Sequence, residues 1–147
     1  MHFEGVFEVG APKARVYELL TDPKKMAECM PDLQRVEVKS GDEFDAVVKV
    51  GVSFIRGEFL LRFRMIDKDP RSGLKLKVHG TGLGSAVDMD IGVGLSEREA
   101  GGTSMKWGAE ASVSGKIASL GQRLMESQAE RIIRQFFECL REKLERI

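Results

Sequence analysis

The sequence predicts an α+β domain: a curved antiparallel sheet of about seven strands around one long C-terminal helix, with two short helices after the first strand. Three observations predict it. From about Leu120 to Ile147, apolar residues recur at Leu124, Met125, Ala129, Ile132, Ile133, Phe136, Phe137, Leu140, Leu144 and Ile147. Their steps are mostly three and four, which places them on one face of a helix. Upstream, apolar and polar residues alternate through about six segments separated by short turns, the pattern of an antiparallel meander with one wet face. Strands and helices are also segregated along the chain, which indicates α+β rather than α/β.

The elements follow in order. His2 to Val9 alternates, with Phe3, Phe7 and Val9 on one side and His2, Glu4 and Glu8 on the other, as in a half-buried strand. Pro12 suits a first helical turn. Val16, Tyr17, Leu19 and Leu20 give that helix a short apolar face, and Asp22-Pro23 stops it. A second short helix covers Lys24 to Cys29 and ends at Pro31. Strands then follow over Leu33–Lys39, Phe44–Val50, Phe59–Met65, Leu74–Val78, Val87–Leu95 and Met105–Val113. The turns between them include Ser40-Gly41-Asp42, the run from Asp67 to Gly73, and Ala100-Gly101-Gly102. The glycines at 80, 82, 84, 92 and 94 lie between or within strands and no helix follows them. They fit bends of the sheet, not a phosphate-binding loop.

The 147 residues suit one domain, 1–147, large enough to bury a core without a metal or disulfide. The formal net charge of +0 lacks the basic bias of a nucleic-acid binder. No apolar run reaches the ~20 residues needed to span a membrane. The N-terminus has no signal-peptide pattern. Cys29 and Cys139 form no CxxC motif, and two free thiols in a reducing compartment are the expectation. His2, His79 and the two cysteines show no metal-ligand spacing. His79, Asp88 and Asp90 fall on the polar side of their strands, as do Arg62, Arg64, Lys75 and Lys77, so a mixed, solvated face is expected there.

Particular residues carry a family resemblance. Asp22-Pro23 followed by Cys29-Met30-Pro31, the pair Gly80 and Gly82, and Gly102-Thr103 before Trp107 resemble motifs of the CoxG-like family, associated with carbon monoxide dehydrogenase. So do the glycine-flanked helix entry (Gly115, Ala118, Leu120, Gly121, Arg123, Leu124) and the FFxxL ending at Phe136-Phe137 and Leu140. The resemblance runs over nearly the whole chain. It departs at Asp32, where the family usually has glycine. Many members also continue into a membrane-attaching tail, whereas this sequence stops at Ile147, so membrane anchoring is expected to be weaker here. The resemblance implies the helix-grip fold of the START and Bet v 1-like (SRPBCC) superfamily, whose members bind hydrophobic molecules between sheet and helix. It also implies a link to molybdenum hydroxylases of the carbon monoxide dehydrogenase type.

The candidate site is therefore an apolar cavity lined by Met26, Met30, Phe59, Leu61, Phe63, Met89, Ile91, Met105, Trp107, Ala109, Ala111, Leu124, Ile132 and Phe136. Ala109 and Ala111 are small opposite large helix residues. The methionines are adaptable, which suits a site for varied apolar ligands. Trp107 is expected to pack on the helix, with stacking on a flat ligand as the alternative. The resulting expectation is non-enzymatic binding of a quinone- or lipid-like molecule, with no cofactor, no metal and no nucleic acid. A molybdenum hydroxylase is the expected protein partner. The expected location is the cytoplasm, with peripheral contact at the inner membrane face. Two other readings stay open: an assembly or recruitment factor working through protein–protein contacts, and a cyclase- or hydrolase-type enzyme on the same fold.

Overall fold

The computed structural model describes residues 1–145. The predicted stripe position Ile147 lies outside them. The elements are β1 (His2–Val9), α1 (Lys13–Thr21), α2 (Pro23–Glu28), β2 (Leu33–Val38), β3 (Glu43–Val52), β4 (Ile55–Asp69), β5 (Gly73–Gly82), β6 (Ser85–Glu97) and β7 (Thr103–Gly115). One 3-10 turn (Ala118–Leu120) then leads into α3 (Gln122–Glu145). The seven strands form one sheet in the order β1-β7-β6-β5-β4-β3-β2, and every neighbouring pair is antiparallel. From β2 to β7 the sheet is a meander; β1 crosses over to pair with β7.

Local chemistry explains the joints. The N–H of Asp22 donates to the Leu19 carbonyl and closes α1. Its carboxylate accepts from the N–H groups of Lys24 and Lys25, at 3.1 Å each, and caps α2, with Pro23 in the first turn. One Asp-Pro pair thus ends one helix and starts the next. The strand β4 continues to Asp69, through the first part of the stretch predicted as turn. A register shift between Ile66 and Asp69, with Asp67 at φ 49, absorbs the irregularity as a bulge. The β5–β6 hairpin turns on Leu83 and Gly84, both at positive φ (54 and 66), as a two-residue turn matched to sheet twist requires. Gly80 serves packing: a Cβ there would lie 2.5 Å from Phe59 Cε1 and 2.8 Å from Leu61 Cδ2.

The register puts every predicted inward residue on one face. Cross-strand rows run Phe44–Phe63–Val78–Met89–Ala111 and Met65–Leu76–Ile91–Ala109–Phe3. Phe44 and Phe63 stack at 4.5 Å. Helix α3 lies across this face, and its Phe137 stacks on Phe7 at 4.9 Å. Only the C-terminal part of α3 is held on all sides. Leu140 and Leu144 are buried. Arg141 donates to the Glu8 carbonyl (2.8 Å), Arg15 to that of Lys143 (2.9 Å), and the Gly10 N–H to Glu145 (3.2 Å).

Cys29 and Cys139 are joined in a disulfide that ties the end of α2 to α3. This corrects the free-thiol expectation. The two cysteines are 110 positions apart, so their spacing carried no signal. The docking of α2 beside α3 brings the Cα atoms to 5.5 Å, within the range a disulfide spans.

Candidate functional site

The inner face of the sheet is not uniformly closed. Phe59, Leu61 and Phe63 on β4, with Met105 and Ala111 on β7, are buried. Met89, Ile91, Trp107 and Ala109 are only half-buried, as are Val87, Val93 and Val113 beside them. The same division runs along α3. Phe136, Phe137, Cys139, Leu140 and Leu144 belong to the packed core, whereas Leu124, Met125 and Ile133 are half-buried and lie outside it. Apolar area left open forgoes roughly 25 cal/mol per Å². Half-open apolar residues on two facing elements, β6–β7 and the first two-thirds of α3, therefore mark a region that side chains do not fill.

The structure distributes the other predicted residues as follows. Met26 is buried on α2, and Met30 packs on the core next to the disulfide. Trp107 packs on two neighbours. Its ring covers Gly5, where a Cβ would sit 3.0 Å from the indole Cζ2, and it meets Phe137 at 5.4 Å. Gly5 is what lets the indole lie flat on β1. Ile132 departs from the expected inward position and is 40% exposed. At 100° per residue it stands about 80° around the helix from Leu140 and about 120° from Leu144, at the edge of the stripe. Phe137 was legible as part of the stripe but not as a site residue; its pairing with Phe7 and Trp107 depends on β1 lying beside β7.

The interior carries little polarity. Among the described residues the one buried polar side chain is Thr103, whose hydroxyl donates to the Ala11 carbonyl at 2.7 Å. The groups with perturbed titration lie outside. His2 is held above its ordinary pKa by hydrogen bonds to Glu4 and Glu110. Glu28 is lowered by its hydrogen bond with Lys143, and Asp69 by the N–H of Arg71. On the outer face His79 meets Asp88 at 2.6 Å, Lys77 meets Asp90 at 2.8 Å, and Arg62 lies 3.8 Å from Asp45. That face is a mixed, solvated lattice of charges, as the alternation predicted. No helix among the described residues is long and apolar enough to cross a membrane.

Comparisons with known proteins agree with this architecture. A conserved protein from Geobacillus kaustophilus superposes with a TM-score of 0.89 at 24% identity, covering 98% of this chain and 95% of the other. A START superfamily protein from Mycobacterium smegmatis gives 0.72 at 8% identity, with 98% and 97% covered. The Zhui aromatase/cyclase of a Streptomyces species gives 0.71 at 19% identity, with 99% and 94% covered. At these identities the likeness is one of fold, and the fold is the helix-grip arrangement. Comparison with curated proteins gives no match. The profile of the carbon monoxide dehydrogenase protein CoxG matches residues 5–145, nearly the whole chain, and the chain belongs to the CoxG family.

Proposed function

We propose that this domain binds a hydrophobic small molecule, quinone- or lipid-like, between the sheet and the first two-thirds of α3, and does so without catalysing a reaction on it. The observation that carries this reading is the line of half-open apolar residues on β6, β7 and α3 within an otherwise closed interior. Adaptable methionines (Met89, Met125) and aromatic walls (Trp107, Phe136) suit a flat or chain-like apolar guest. The near absence of buried polar groups supports binding over acid–base chemistry. Family membership supports a carbon monoxide dehydrogenase-type molybdenum hydroxylase as the protein that the bound molecule serves.

Two neighbouring alanines provide the test. Ala109 is half-open and Ala111 is buried. With a short-chain quinone and oleate as probes, Ala109→Leu is expected to weaken binding about tenfold or more while changing stability little. Ala111→Leu is expected to cost about 1–3 kcal/mol by overpacking. A wild-type protein that binds neither probe, with Ala109→Leu as destabilising as Ala111→Leu, would show the space to be filled. One observation favours the recruitment reading: Phe54, at the β3–β4 turn, is 80% exposed. On that reading Phe54→Ser abolishes capture of the hydroxylase and leaves probe binding intact.

A further inference from the structure

The disulfide occupies a position that ordinary stapling does not require. A chain of 147 residues can bury enough surface to fold without a cross-link. Cys29 caps the end of α2, a helix of 6 residues, between Met26 and Met30. Cys139 sits where α3 changes character. Beyond it, Leu140 and Leu144 are buried and Arg141, Lys143 and Glu145 are bonded to β1, α1 and the β1–α1 joint. Before it the helix is half-open, and no hydrogen bond among the described residues ties positions 122–137 to the sheet. Apart from the disulfide, the polar tie between α2 and α3 is Glu28 to Lys143 at 2.8 Å, with both side chains partly exposed. Exposed ion pairs hold little. Cys29 is 3% exposed, but Cys139 is only half-buried, so one sulfur of the pair is reachable from solvent.

We propose that Cys29–Cys139 is a thiol-exchange site whose redox state sets how firmly α3 is held to α2, and with it the rate at which molecules enter and leave the gap. The co-reactant is a dithiol, small or protein-borne. Its thiolate attacks Cys139 Sγ; the S–S bond breaks, and the electron pair leaves on Cys29 Sγ, which takes up a proton. The second thiol of the reductant then displaces Cys139, which is also protonated. The protein gains two electrons and two protons, and the dithiol becomes a disulfide. The anchors of α3 to β1 and α1 survive, so the helix stays attached at its end. What is released is α2, carrying Met26 and Met30, relative to the half-open part of α3. The claim about ligand exchange rests on the binding reading above; the claim about helix restraint does not.

Hydrogen exchange of the full chain, oxidised and then reduced with dithiothreitol, tests the restraint. Exchange in α2 and in residues 122–138 is expected to rise about tenfold or more on reduction while β4 and β5 stay protected. Cys139→Ser is expected to match the reduced protein and to ignore dithiothreitol; Cys29→Ala serves should that variant not fold. Dissociation of 1-anilinonaphthalene-8-sulfonate is expected to quicken in parallel. The proposal falls if non-reducing alkylation finds two free thiols, if exchange in α2 and α3 is unchanged by reduction, or if all strands lose protection together. Failure of the dye to bind in either state, with the exchange difference intact, refutes the binding reading and leaves the restraint standing.

Discussion

Asp32 stands where the family usually places glycine, and its φ is 56. The loop has kept its left-handed turn and has fitted aspartate, one of the few side chains tolerated there. The Asp32 carbonyl accepts from the Lys49 N–H at 3.0 Å and fixes the start of β2 on β3. Asp32→Gly is therefore expected to change stability by less than about 1 kcal/mol, relief of strain offsetting the larger entropy of the unfolded chain. Asp32→Val, with a branched side chain at positive φ, is expected to cost about 1–3 kcal/mol. Chemical denaturation of the two variants separates these outcomes. Residues whose neighbours are set by alternation, such as Phe59, Leu61, Phe63 and Met105, were readable from the sequence because period two fixes their face. Cys29 and Cys139 were not, because their proximity depends on how two distant helices dock.

At the scale of the element, α3 is one stripe in sequence and two regions in space. Periodicity revealed the stripe. It could not show that only the C-terminal third is clamped, since that depends on which partners α1, α2 and β1 bring to it. Two surface contacts at element junctions give opposite pH signatures. Glu28, on α2, has its pKa lowered by its hydrogen bond with Lys143 of α3. A lowered folded pKa means that the contribution is present above about pH 4.5, the unfolded value, and is lost as pH falls through the lower folded value. His2, on β1, has its pKa raised by hydrogen bonds to Glu4 and to Glu110 of β7. Its contribution is complete below about pH 6.5 and fades as pH rises through the raised folded value. Both groups are solvent-screened, so the effects are small. Unfolding midpoints measured across pH for Glu28→Gln and His2→Gln should converge with wild type at acidic pH for the first and at alkaline pH for the second.

For the molecule as a whole, the segregation of strands and helices was enough to give the sheet, its curvature and the covering helix. The crossover of β1 to β7 and the disulfide needed the assembled fold. The cross-link joins positions 110 apart, so the unfolded chain is strongly restricted by it. Reduction is expected to cost about 2–4 kcal/mol, which for a domain of this length corresponds to roughly 5–15 °C in Tm. Scanning calorimetry with and without dithiothreitol checks this. A loss of cooperativity instead of a shift would show that the reduced chain has no unique fold.

The pairing of β1 with β7 also bears on how the domain is made. His2 and Glu110, which face each other across that pair, are 108 positions apart. A ribosome delivers β1 long before its partner exists. Until β7 emerges, Phe3, Phe7 and Val9 have no finished sheet to join, and the anchors of α3 on β1 and α1 come later still. The meander from β2 to β7 can zip locally as it appears, because each hairpin closes a short loop. The nascent chain thus carries an unpaired apolar strand throughout synthesis, an aggregation hazard of the kind that chaperones shield. The first strand translated is among the last to find its place.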